Sequence, residues 1–151
     1  MSGAAKIEPS AVQALQAALA AEHAALWSYT LVVAWVPADQ AAVARSDIEA
    51  HRTLRGQVEQ TLTDLGARPV SAEPAYTTPA PVTDALSAGR LAAAAEADAL
   101  AAWRSVLEQT QDVQLRTAGF KALVEGTGRA ARWRAATGTT PAIPSLPGII
   151  R

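Results

Sequence analysis

Apolar side chains recur along this chain at alternating intervals of three and four residues, in four separate stretches. The first stripe reads Val12, Leu15, Leu19, Glu22, Leu26, Tyr29, Val33 and Val36. The second reads Ala44, Asp47, His51, Leu54, Val58, Leu62 and Leu65, and the third Leu86, Gly89, Ala93, Glu96, Leu100, Trp103 and Leu107. A fourth, less regular, runs through Leu115, Ala118, Ala122 and Glu125 and continues into Arg129 and Arg132. That period belongs to helices that each turn one face toward partners. Ser10 with Gln13 has the spacing of a capping box, and Pro37 closes the helix it opens. Asp39, Thr83 and Asp112 are the expected N-caps of the other three, with Gly66 and Gly138 as stops. The predicted helices span about 11–36, 40–65, 84–110 and 113–137.

The lengths of the connections then constrain topology. Helices one and two, and three and four, are separated by only a few residues, so each pair reads as an antiparallel hairpin. Between the hairpins lies the stretch 66–82, with prolines at 69, 74, 79 and 81. A helix of this size is about 38 Å long, and an extended connection of that length reaches up to roughly 56 Å. It can therefore run the height of the bundle and set helices two and three parallel. An all-α four-helix bundle of two hairpins and one long crossover is expected over residues 1–138; an up-down bundle with a loose third loop is the alternative. The tail 139–151 carries Pro141, Pro144 and Pro147 among Ile143, Leu146, Ile149 and Ile150. It either packs on the bundle or is disordered.

Composition sharpens this picture. Of 151 residues, 37 are alanine and only 38 are larger apolar residues, so helices must approach closely to make a core. Cysteine is absent, which removes disulfides, thiolate metal sites and thiol nucleophiles. A net charge of −1 speaks against a nucleic-acid partner. Residues 1–10 lack the apolar core of a secretory signal, and the longest apolar run, Ala24 to Val36, is short for a bilayer. The expected setting is cytoplasmic, with no membrane partner.

The seams hold the candidate chemistry. Glu22 and Glu96 are single carboxylates at mid-length in otherwise apolar stripes, and Asp47, His51 and Glu125 fall on the other two. Buried charge of this kind needs a partner, a hydrogen bond or a metal. The segment Ala20–Leu26 matches Ala94–Leu100 at five of seven positions, an offset of 74, and the same offset carries His51 onto Glu125. A Glu on helices one and three and a Glu-x-x-His on helices two and four is the ferritin-like di-metal pattern, and from Ser10 to about Gly138 the chain resembles that fold. Ala21-Glu22-His23-Ala24, His51-Arg52, the proline run Tyr76–Val82, Arg132-Trp133-Arg134 and the Pro-Gly tail resemble, more narrowly, an actinobacterial ferritin-like family of unknown function. The resemblance implies a fold and no activity.

Departures from the pattern decide how the site is read. The residue three before His51 is Ile48, with Asp47 a position earlier, and on helix four Ala122 and Glu125 stand where Glu and His belong. Bridging carboxylates are what hold two cations together. Glu22, Asp47, His51, Glu96 and Glu125 are thus the metal candidates, with iron or manganese as the ion. The favoured expectation is no cofactor: these groups form buried ion pairs, with Arg129 and Arg132 reaching in as guanidinium partners.

Other features have simpler readings. Trp27, Leu31 and Trp35, with His23 one turn earlier, make a second stripe on helix one. It faces the crossover or tail, forms a dimer interface, or lines a small-ligand pocket. The cations of helix four read as a solvated face, and Trp133 as a packing residue. Gly126-Thr127-Gly128 lacks the P-loop context and is expected to kink helix four or end it early. The function expected is that of a non-catalytic, self-associating or partner-binding domain, as a homodimer. A metal-carboxylate protein and a small-ligand binder are the alternatives.

Overall fold

A computed structural model describes residues 6–149 and contains four helices and no strand among them. They are α1 (Pro9–Trp35), α2 (Ala38–Asp64), α3 (Ala85–Gln109) and α4 (Val113–Ala136). Residues 1–5 of the expected domain, and Ile150 and Arg151 of the tail, lie outside the described residues. Close packing joins α1 to α2, α1 to α3 and α3 to α4, so α1 and α3 are the central pair. Glu8, just before α1, accepts from Thr110 Oγ1 at 3.1 Å, which sets the start of α1 against the end of α3. Leu62 near the end of α2 clusters with Leu15 and Trp103, while Ala44 near its start clusters with Tyr29 and Leu91. Helices α2 and α3 are therefore parallel, and the chain is a four-helix bundle of two antiparallel hairpins with one long crossover.

The helix ends differ in detail from expectation. Pro9 occupies the first turn of α1 and Glu8 is its N-cap, so Ser10 lies inside the helix and makes no capping box. Pro37, not Asp39, caps α2, because the proline already ends α1 and its fixed φ can lead straight into the next helix. At α3 the capping box is formed by Asp84 and Ser87 rather than Thr83. Asp112 caps α4 by accepting from Leu115 N at 2.9 Å. Gly66, with φ of 75°, takes the left-handed conformation that stops α2. Helix α4 runs without interruption through Gly126-Thr127-Gly128, so the expected kink is absent. Gly126 serves a different purpose. A Cβ there would sit 3.0 Å from Leu100 Cδ2 and 3.4 Å from Arg129 Nη2, so its missing side chain is what lets α4 close on α3.

The crossover lies along α1. Gln16 clamps its start, donating to Arg68 O at 2.7 Å and accepting from Val70 N at 2.8 Å. His23 Nε2 donates to Val70 O at 3.1 Å, and the Trp27 and Tyr76 rings meet at 5.9 Å. Trp27 and His23 of the second α1 stripe thus face the crossover, whereas Trp35 at its end is 46% exposed. The tail folds back as well. Arg134 holds Pro141 O at 2.7 and 2.9 Å, and Arg104 donates to Pro147 O at 3.3 Å.

Two apolar layers fill the interior. One gathers Leu15, Leu19, Val58, Leu62, Trp103 and Val106; the other Tyr29, Val32, Ala44, Leu91 and Trp133. A fully buried leucine such as Leu19 or Leu62 contributes about 1.5–3 kcal/mol. By length and average composition α1 is apolar enough to cross a membrane, although its unbroken apolar run is short. Its many alanines raise that average, and in the bundle α1 spends them on packing against α2 and α3.

Candidate functional site

Between the two apolar layers lies a band of charge. Glu22 of α1, His51 of α2 and Glu96 of α3 are fully buried, and Asp47 of α2 nearly so. Helical spacing explains the convergence, since Asp47 and His51 are one turn apart on the inner face of α2. Asp47, rather than Ile48, is the inward residue. Ile48 packs to the side, toward α1 and the crossover.

His51 sits at the centre. Its Nδ1 lies 2.6 Å from Glu22 Oε2 and its Nε2 2.8 Å from Glu96 Oε1. Both partners are carboxylates, so both ring nitrogens donate and the ring is an imidazolium. Burial works against that charge, but hydrogen bonds and charges from Glu22 and Glu96 outweigh it and push the His51 pKa up to about 9. For Glu96, burial favours the neutral acid, yet His51, Arg129 and Tyr29 hold its pKa below the ordinary value.

Each carboxylate oxygen of the band has a donor. Arg129 Nε lies 3.1 and 3.2 Å from the two Glu96 oxygens. Arg132 Nη2 donates to Asp47 Oδ1 at 2.7 Å and the Trp133 indole N–H to Asp47 Oδ2 at 2.8 Å. The Tyr29 hydroxyl donates to Glu96 Oε1 at 2.7 Å and is 3.2 Å from Asp47 Oδ2. Its own ionisation is driven up by burial and by those two carboxylates, so it stays a phenol. Trp103 Nε1 donates to Glu22 Oε1 at 2.7 Å. The band thus balances three carboxylates (Glu22, Asp47, Glu96) with three cations (His51, Arg129, Arg132).

A reciprocity is built into this arrangement. Tyr29 lies seven residues after Glu22, and Trp103 seven after Glu96. Because α1 and α3 are antiparallel, each aromatic donor reaches the other helix's glutamate, Tyr29 from one side of the band and Trp103 from the other. The sequence pattern sets Trp103 on the helix-three seam and Trp133 as a packing residue, whereas both indoles donate into the band. The offset of 74 that aligns Glu22 with Glu96 also aligns Tyr29 with Trp103, and that was the available signal.

Glu125 does not join the band. It is exposed and lies 4.0 Å from Lys121 on the outer surface. The residue that α4 turns inward is Arg129, a turn later and about 40° further round, so the repeat slips by one turn in its second helix. Glu125 instead borders a groove of about 730 Å³ between α2 and α4, the two neighbouring helices that do not pack closely. Neither Arg129 nor Arg132 pairs with it.

Comparison with known proteins places this architecture. Residues 14–150 match the family described as "Domain of unknown function (DUF4439)". The chain belongs to that family. Its structure is similar to that of a conserved hypothetical protein, rv2844, from Mycobacterium tuberculosis: 34% identity, TM-score 0.82, covering 85% of this chain and 98% of that one. It is also similar to a structure titled as ferritin-like, diiron-carboxylate proteins from Bacillus anthracis str. Ames. There the identity is 15% and the TM-score 0.72, over 84% of this chain and 94% of the other, a likeness that shows the fold alone. No curated protein matches. The family is ferritin-like in fold, and its description assigns no activity.

The residues present do not fit the di-metal centre that such a fold suggests. Both nitrogens of His51 and every oxygen of Glu22, Asp47 and Glu96 already accept or donate within the band. A guanidinium and an imidazolium, both cations, stand among the carboxylates. Among the described residues no group of three or more His, Asp or Glu side chains is arranged to hold a metal ion.

Proposed function

We propose that this chain is a non-catalytic ferritin-like bundle in which a degenerate di-metal site has become a structural layer, and that it works by associating with a second copy of itself. The observation that carries this reading is the saturation of the band: its anions are neutralised by side chains of the same chain. A cation entering there must displace Arg129 and deprotonate His51, both at a cost.

The association surface is the outer face of α4. Val113, Phe120 and Val124 are 75%, 62% and 55% exposed and lie along one side of that helix. Lys121 and Glu125 stand beside them, one turn apart. A two-fold axis near Leu123 reverses one helix against the other, so that each Lys121 meets the Glu125 of its mate. Such a face is self-complementary, as an isologous interface requires.

Two measurements test the reading. Protein titrated anaerobically with Fe(II), and separately with Mn(II), is expected to retain less than about 0.1 equivalent after desalting, with an unchanged melting temperature. Stoichiometric metal accompanied by a rise in melting temperature would overturn the structural role of the band. Sedimentation velocity is expected to show a concentration-dependent dimer that Phe120→Asp abolishes while helix content stays constant. A monomer at all concentrations, or a dimer indifferent to Phe120→Asp, rejects the α4 interface.

A further inference from the structure

A second polar feature lies away from the charged band, where α1, α2 and the crossover border a half-open cavity of about 300 Å³. Arg52 and Arg55 of α2 line it, with Trp27 of α1 and Glu73 and Tyr76 of the crossover. Arg55 is the anomaly. Its Nε is buried and has no hydrogen-bond partner, the one such side-chain nitrogen or oxygen among the described residues. Other guanidinium groups that reach into the fold find acceptors: Arg129 on Glu96, Arg132 on Asp47, Arg104 on Glu108, Arg134 on Pro141 O. Arg55 forms no ion pair either, although Glu73 lines the same cavity, and Arg52 is paired with Glu49. A desolvated N–H without an acceptor carries its full penalty, which an arriving anion relieves.

The rest of the cavity fits a ligand with an apolar body. Trp27 and Tyr76 meet with rings 5.9 Å apart and inclined at 56°, forming an aromatic wall. The Tyr76 hydroxyl accepts from Glu73 N at 2.9 Å, which fixes that ring against its own loop. The volume suits a small molecule at the lower end of ligand-pocket size. We propose that this cavity binds a small organic acid, a carboxylate or phosphate ester with an aromatic or apolar body. The acid group pairs with the half-buried Arg55 guanidinium, which turns toward it so that the sealed Nε–H gains an acceptor, and the body lies against Trp27 and Tyr76. This site is independent of the role assigned to the charged band.

The test is nuclear magnetic resonance on the ¹⁵N-labelled chain, observing the Arg55 Nε–H and the Trp27 indole N–H directly. Benzoate, phenyl phosphate and inorganic phosphate are the probes. Benzoate and phenyl phosphate are expected to shift both signals saturably, with dissociation constants near or below about 1 mM. Inorganic phosphate is expected to shift Arg55 alone and to bind at least about tenfold more weakly, because it lacks the body. Arg55→Gln, with helix content unchanged, is expected to weaken benzoate at least about tenfold. No saturable shift of the Arg55 signal with any probe up to about 50 mM overturns the proposal. So does undiminished benzoate binding to Arg55→Gln; the first result is read on the unaltered protein and needs no variant to fold.

Discussion

His51 binds its second proton because two buried carboxylates surround it, and this makes its charge a component of stability. The ring's folded pKa of about 9 lies above the ordinary 6.5, so its contribution is complete below pH 6.5 and is lost as the pH rises through about 9. Glu96 acts at the acid end: its folded pKa is lowered, so its contribution is present above about 4.5 and fades as the pH falls further. Stability measured by urea unfolding is therefore expected to peak between about pH 5 and 6.5 and to fall by roughly 3 kcal/mol toward pH 10. His51→Gln is expected to flatten that alkaline limb; an unaltered limb means that another group titrates. Glu96→Ala removes the anion between His51 and Arg129, leaving Arg129 unpaired and His51 with Glu22 alone, and is expected to cost about 3–5 kcal/mol at pH 6 by the same measurement. A loss below about 1 kcal/mol would show that the band is hydrated and its charges screened.

At the scale of the helix, the two glycines of Gly126-Thr127-Gly128 separate cleanly. Gly126 is pressed against Leu100 and Arg129, whereas a Cβ on Gly128 would meet nothing within 4 Å. Gly128→Ala is expected to raise stability by about 0.5–1 kcal/mol, through helix propensity alone. Gly126→Val is expected to lower it by about 1–3 kcal/mol through overpacking. Thermal melts of the two variants should move in opposite directions, and a shared direction would contradict the packing described. The sequence pattern made the helices and their order legible, because periodicity, proline punctuation and connection length all report on local chain geometry. It could not place the caps of α1 and α2, where proline displaced the polar residues that usually do the capping. Nor could it show that Gly126 is a contact rather than a breaker, since only the neighbouring helix supplies Leu100.

For the molecule as a whole, Glu22, Asp47, His51 and Glu96 were readable as one layer because each interrupts an apolar seam. Glu125 was misplaced because the repeat was carried across two hairpins as if rigid, while rotation of α4 turns Arg129 inward instead. Arg55 gave no signal at all in the sequence, since an unpaired arginine becomes visible only once its surroundings are known. The close packing of α2 on α1, α1 on α3 and α3 on α4 follows an arc, and a groove separates α2 from α4. Across the groove α4 is tied to α2 by Arg132 and Trp133 on Asp47, so α2 and α4 are held mainly from one side while α1 and α3 are held from both. Backbone amides of α1 and α3 should therefore exchange with solvent only on global unfolding, while those of α2 and α4 exchange through smaller openings. Hydrogen exchange followed by mass spectrometry would read that order directly, and on this view the groove is the line along which the molecule first comes apart.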